Sequence, residues 1–364
     1  MKTTPMSRGD STELSGNLRL ADIDSPKASV RHRTLAEIRR SCGAFEWVTF
    51  AYLAWMIGAL TVFHRNIPHA AWFVVGHCWI AFGILCLAWA ASQSSSRVLQ
   101  FVRSWYPLPL YIFLFEELNA LVHLILPGWF DRWIIQYDHN LAGVYPWVWL
   151  ARFSGPAMDE FMQFSYMTYF LYLLILPAIL YAYQDRLAYW NVMVSTAIAH
   201  YSVYVIAILV PIQSPYHVFY STQPEPPPPG VFTAAIDLLE RYARVRGAAF
   251  PSAHVAGSMV ALLAACRYRR WLFWVCLPFF ISMCVSTVYG RYHYVADVLA
   301  GIVVGAIGFA AGSWLMKRNG ALPAVAERTA AALSSDPAAA CATPSRLHRP
   351  ARWPAGEPRS SAAR

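Results

Sequence analysis

Apolar stretches of roughly 20 residues recur along this chain with short polar segments between them, the length a helix needs to cross about 30 Å of hydrocarbon. Eight candidate spans stand out, at residues 45–63, 71–91, 106–127, 161–183, 190–212, 251–268, 271–289 and 294–316. Lipid offers no partner for backbone N–H and C=O groups, so only helices and closed barrels cross it. Runs this long and continuously apolar are helices rather than the short alternating strands of a barrel. Composition agrees: 57% of the residues are hydrophobic and 13% charged, against about 25% charged in soluble domains. The expectation is an all-α fold, a polytopic membrane helical bundle of about eight transmembrane helices with an interfacial helix in an outer loop.

The spans fall in one membrane domain, residues 44–318. Polar tails at 1–43 and 319–364 lack an apolar signal-peptide core and helical periodicity, and are expected to be disordered. A net charge of +9 could point to nucleic acid, but only three of the 29 basic residues are lysines (Lys2, Lys27, Lys317), and the arginines gather beside the spans. That distribution reads as membrane topology and no nucleic-acid partner. With the N-terminus in the cytoplasm, thirteen Lys and Arg lie inside against seven outside, which sets both ends in the cytoplasm. The outer loop 128–160 carries Trp133, Ile134, Ile135, Leu141, Val144, Trp147 and Trp149, the pattern of an interfacial helix. The loop 213–250 carries Pro224 and Pro226 to Pro229 and should be partly extended. Five of the seven cysteines (Cys78, Cys86, Cys266, Cys276, Cys284) sit in apolar stretches without metal-type spacing, so they read as packing residues.

Two segments carry chemistry. Phe250-Pro251-Ser252-Ala253-His254 opens the sixth span, with Pro251 suited to a first helical turn and Ser252 beside free backbone N–H groups. Such a helix start holds an anion, or is simply capped by its serine; the four residues alone leave both open. The second segment runs from Ser286 to Asp297 across the turn before the last span. His293 and Asp297 are four apart at a helix start, so they share a face; the carboxylate can hold one ring nitrogen and leave the other free to attack. An aspartate facing hydrocarbon is costly, so Asp297 should point into the bundle. A purely structural His–Asp pair is the alternative. Placing both segments on one side of the membrane gathers two histidines, an arginine and a helix N-terminus at one depth, which favours a reactive site.

Pro251-Ser252-Ala253-His254 and Ser286…His293…Asp297 resemble the second and third motifs of the type 2 phosphatidic acid phosphatase superfamily. The stretch Ser286-Thr287-Val288-Tyr289-Gly290-Arg291-Tyr292-His293-Tyr294 is similar to the branch that includes inositol phosphorylceramide synthases. The resemblance extends upstream to Asp138-His139-Asn140-Leu141-Ala142-Gly143-Val144-Tyr145-Pro146 and covers roughly residues 105–316. It implies His293 as nucleophile, Asp297 as its orienting partner and His254 as the acid that protonates the leaving group, with Ser252 and Ser286 at the phosphate. The roles also make physical sense: a covalent phosphohistidine splits a hard displacement into two easier ones, and no metal or other cofactor is then required.

The sequence departs from the family pattern in two places. The third motif usually has Arg directly after its leading Ser, where this chain has Thr287, so Arg291 takes the place of the phosphate clamp. The first motif, a Lys and an Arg-Pro pair, is unmatched, because there is no lysine between residues 28 and 316 and Pro211-Ile212-Gln213-Ser214-Pro215-Tyr216-His217 holds no arginine. Arg241, Arg244 or Arg246 would compensate, or form a solvated basic helix face. Glu116, Asn119 and His123 share a face of the third span and read as an interhelical hydrogen-bond network rather than a metal site. Asp138 and Tyr289 are expected to border a substrate entrance, with a polar helix face for Asp138 and the aromatic belt for Tyr289 as the alternatives, and His200 to be a satisfied interior histidine.

The function expected is an integral membrane lipid phosphatase of the phosphatidate or polyprenyl-diphosphate type, working through a phosphohistidine without metal. Its partners would be the bilayer and a lipid phosphate entering laterally at the extracytoplasmic surface. A lipid headgroup phosphotransferase is the nearer alternative; a non-catalytic transporter of anionic lipid is the more distant one, weakened by the lack of an internal repeat. The one-domain layout without a targeting peptide suggests a bacterial inner membrane. The acceptor, the lipid and the oligomeric state are left open.

Overall fold

The computed structural model describes residues 37, 39–219, 230–243 and 245–319. Most of both tails, Arg244 and the proline run at 224–229 lie outside the described residues. In chain order the helices are α1 (Ala44–Val62), α2 (Ala70–Gln93), α3 (Arg97–Trp105), α4 (Pro107–Glu116), α5 (Leu118–Leu121), α6 (Asp131–Ala142) and α7 (Pro146–Leu150). They continue as α8 (Pro156–Ala182), α9 (Arg186–Leu209), α10 (Pro215–Val218), α11 (Val231–Ala243), α12 (Ala253–Tyr268), α13 (Arg270–Tyr289) and α14 (Val295–Asn319). The fold is an all-α polytopic membrane bundle. Six helices, α1, α2, α8, α9, α13 and α14, are long and apolar enough to cross a bilayer, and α12 is a shorter apolar helix of 16 residues.

That is fewer full-length helices than the eight apolar runs suggested, and the difference lies mainly in residues 106–127. This run is not one helix: α4 stops at Glu116, α5 ends at Leu121, and Asn66 Nδ2 donates to the Leu124 carbonyl in the unwound stretch that follows (3.0 Å). Two adjacent glutamates interrupt the run, and Glu117 turns toward His77 of α2, 3.3 Å away. An apolar sequence cannot register that local competition. The helix expected in the outer loop is present as α6, followed by the short α7, while the loop 213–250 holds α10 and α11 in its described parts.

α9 is the central helix, with most of its residues buried, and α14 crosses it closely. Glycines on α14 make the approach possible. A Cβ at Gly301 would lie 2.7 Å from the Ser252 carbonyl, and one at Gly305 2.5 Å from that of Ala256, so α14 touches the backbone of α12. Gly308 and Gly312 do the same toward Ala199 and Ser195 of α9. Without a hydrophobic drive between helices in lipid, such small-residue contacts and interhelical hydrogen bonds hold the bundle together.

The two ends of the bundle are built differently. At one end, Arg103 is fully buried against Glu46 (Nη2–Oε1 2.8 Å) and the Ser41 carbonyl (2.6 Å). At the other, the interhelical segments are laced to one another. Phe130 N–H donates to Pro211, Gln213 binds Asp131 through its backbone N–H (2.7 Å) and side chain (2.8 Å), and Tyr216 N–H donates to the Arg291 carbonyl (3.0 Å). Every motif residue named above sits at this second end.

Candidate active site

The start of α14 is fixed from a distance. Asp138, on α6, accepts from Val295 N–H (2.8 Å) and Ala296 N–H (3.0 Å), two of the first-turn donors that have no partner within the helix. Burial pushes the Asp138 carboxyl above its usual value, and those two hydrogen bonds oppose the rise. Within the same first turn, Asp297 Oδ2 accepts from Tyr294 N–H (2.8 Å) and faces His293 Nδ1 at 3.3 Å. The same Nδ1 lies 2.8 Å from the Ala249 carbonyl oxygen. A carbonyl can only accept, so Nδ1 carries the hydrogen, and in the neutral ring Nε2 is then the nitrogen with the lone pair.

His254 is the second residue of α12. That helix is capped by Ser252, whose Oγ accepts from Val255 N–H (3.3 Å), and Ser252 N–H donates to the Asp297 carbonyl (3.1 Å), which joins the starts of α12 and α14. The join brings the His254 and His293 rings to 5.8 Å between centroids. His254 Nε2 lies 2.9 Å from the Tyr166 hydroxyl on α8, and its Nδ1 is buried with no protein partner.

Both histidines line one cavity of ≈ 280 Å³, together with Ser214, His217, Tyr166 and Tyr292. Ser214 Oγ is 2.9 Å from His217 Nδ1. Apolar and aromatic side chains of α4, α8 and α11 form the remaining wall, with Glu116 and Glu240 among them, and no lysine or arginine lines it among the described residues. Ile112 and Leu239 on that wall are half exposed (54% and 43%).

Of the residues singled out from sequence, the structure brings His293, Asp297 and His254 together and gives the others different surroundings. The Ser252 hydroxyl is fully buried and serves as the α12 cap; the Ser286 hydroxyl donates to the Met283 carbonyl (2.8 Å) within α13. Arg291 has positive φ (62°) and its guanidinium lies over the Trp147 indole, 5.2 Å from the ring centre, away from the cavity lining. Partial burial lowers its pKa from the ordinary arginine value. Asp138 does not border an entrance: it is 1% exposed and both carboxylate oxygens are taken by backbone. The Tyr289 hydroxyl donates to Asp159.

The proposed face of Glu116, Asn119 and His123 is not formed, since α5 ends at Leu121; Glu116 lines the cavity, Asn119 accepts from Arg246 N–H (2.9 Å), and His123 contacts the Leu126 carbonyl (3.1 Å). Arg246 donates to Gln213 (2.7 Å) and Arg241 is exposed. His200 is satisfied by the Thr196 carbonyl (3.0 Å) and the Tyr169 hydroxyl (3.2 Å). Among the described residues, no group of three or more His, Cys, Asp or Glu is arranged to hold a metal ion. Sequence reasoning passed over Tyr166 and the Ser214–His217 pair; Tyr166 and Tyr169 recur at helical spacing on α8, a pattern that looks like ordinary core.

A bundle of apolar helices with two histidines converging on a cavity at one end defines a class of membrane protein. Residues 132–311 match the family model described as the PAP2 superfamily, and this segment contains every motif residue of the site. The match supports the superfamily and does not separate the inositol phosphorylceramide synthase branch from the rest. No curated protein and no solved structure matches the chain.

Proposed function

We propose that this protein is an integral membrane lipid phosphatase in which His293 is the nucleophile. The observation that carries the reading is the pairing of His293, with Nδ1 held and Nε2 free, and His254 on one cavity wall. The PAP2 superfamily match supports it. In the first step Nε2 attacks phosphorus, the bond to the lipid oxygen breaks, and His254 gives that oxygen a proton. In the second, water attacks the phosphohistidine, the P–N bond breaks, and His254 takes the water's proton. Asp297 and the Ala249 carbonyl keep the nucleophile in the right tautomer throughout. Lipid chains would remain in the bilayer beside Ile112 and Leu239; the bias of the basic residues supports an extracytoplasmic site, and a bacterial inner membrane is the location we propose.

A headgroup phosphotransferase is the second reading, favoured by one observation: among the described residues no permanent cation lines the cavity, which suits a singly charged phosphodiester better than a dianionic monoester. The test is phosphate release by detergent-purified protein from phosphatidate, lysophosphatidate and polyprenyl diphosphate in EDTA, with His293→Ala and His254→Ala alongside. Release that both variants lose supports the phosphatase. No release, but headgroup transfer between paired donor and acceptor lipids, supports the transferase. Lipid binding without turnover in the wild type, unchanged by His293→Ala, would leave a binding or transport protein.

A further inference from the structure

The site contains a contact that the two-histidine scheme does not use. The Tyr166 hydroxyl lies 2.9 Å from His254 Nε2, and the Tyr166 ring sits between His254 (4.9 Å between centroids) and Tyr292 (4.4 Å). Tyr292 is tied back to the same helix by its bond to Gln163 Oε1 (3.1 Å). Tyr169, one turn on, packs edgewise on His254 (4.4 Å, 60°), but its hydroxyl is directed to His200 Nε2. His200 Nδ1 faces the Thr196 carbonyl and so carries its hydrogen, which makes His200 Nε2 an acceptor and commits the Tyr169 proton to it. The absent Cβ of Gly257 lets the His200 ring come this close, since a Cβ there would be 2.8 Å from His200 Cε1. Tyr166 therefore supplies the hydroxyl at His254, in a setting that is 7% exposed and shut between rings.

We propose that Tyr166 is a positioning residue for the acid step: its oxygen accepts from His254 Nε2–H, which fixes the ring and leaves Nδ1, the nitrogen without a protein partner, to exchange the proton with the leaving oxygen. This rests on the phosphatase reading above. An imidazolium has two N–H donors, and in a desolvated cavity each needs an acceptor. Tyr166 satisfies one in both protonation states, and the substrate oxygen satisfies the other only during reaction. When the P–O bond breaks, the Nδ1 proton moves to the leaving oxygen; when water attacks the phosphohistidine, Nδ1 takes a proton back, so the cycle balances.

The hydroxyl is removed with little change of shape in Tyr166→Phe. The readout is dependence on the leaving group, using a lipid phosphate with an alkyl alcohol leaving group and a long-chain ester whose leaving group is a 4-nitrophenolate, which departs without a proton. The expected result is a fall in the single-turnover rate of leaving-group release of about 100-fold on the alkyl ester and less than about 3-fold on the aryl ester, in line with the usual yield of general acid catalysis. An equal fall on both esters would mean a packing role and overturn the proposal, as would no fall on either. If His293→Ala retains turnover of the aryl ester, or the wild type turns over neither, the underlying reading fails and the proposal goes with it, whatever Tyr166→Phe does.

Discussion

Asp138→Ala tests whether the start of α14 is held by α6. The carboxylate is buried and caps α14 through two backbone N–H groups, 157 and 158 residues away in the chain. Removing it strands both donors where water is scarce. An unsatisfied buried N–H costs about 1–3 kcal/mol, and relief of the buried charge offsets part of the pair, so a net loss of about 2–3 kcal/mol is expected. For a bundle of this size that is a fall in Tm of about 5–10 °C. Asp138→Asn keeps one acceptor and should lose about half as much. The charge adds a pH signature. Burial raises the folded-state pKa above 3.8, so ionisation costs stability as pH rises from the unfolded value through the folded one, and Asp138→Asn should remove that slope. The assay is thermal unfolding in detergent followed by tryptophan fluorescence, with 15 tryptophans as reporters. A Tm for Asp138→Ala within 1 °C (about one-fifth of the smallest shift expected) of wild type would refute the cap.

Three further outcomes follow from the geometry. Asp297→Asn should lower turnover by about 100-fold, less than the ~10⁴ loss where a carboxylate alone sets the tautomer, because the Ala249 carbonyl still holds Nδ1; steady-state kinetics of the folded variant check it. Gly301→Leu should drive α12 from α14 at the Ser252 backbone, costing about 1–3 kcal/mol and most of the activity, whereas the same change at Gly76, with open space around it, should leave both intact; unfolding and turnover measured together decide. Arg103→Ala, at the opposite end, leaves Glu46 buried without its partner and should cost about 3–5 kcal/mol while turnover per folded molecule is unchanged.

What could be read from sequence was whatever is local along the chain. Hydropathy marked the long helices because lipid rewards it residue by residue, and it failed at 106–127, where Glu117 finds His77 in another helix and the apolar run ends as a broken one. The i, i+4 spacing of His293 and Asp297 was enough to anticipate their pairing, and Pro251-Ser252 marked a helix start. Contacts between distant segments were not legible. Nothing near Asp138 in the chain announces the α14 amides it binds, so its sequence context points to an entrance instead. The Ser286 hydroxyl bonds three residues back in its own helix, a local choice that its place in the motif does not display. Arg291 stands two residues before His293 in sequence, but its backbone is left-handed and its guanidinium lies over Trp147 from a distant segment, which no local pattern displays.

The measurement that bears most directly on the central claim is trapping of the phosphoenzyme. Purified protein is mixed with a lipid phosphate labelled at phosphorus and quenched under base within one turnover, and the adduct is mapped by mass spectrometry. The account predicts an acid-labile phosphoryl group on His293, absent in His293→Ala and accumulating in His254→Ala when an aryl ester is the substrate. Phosphate on another residue, or full turnover by His293→Ala, would contradict it.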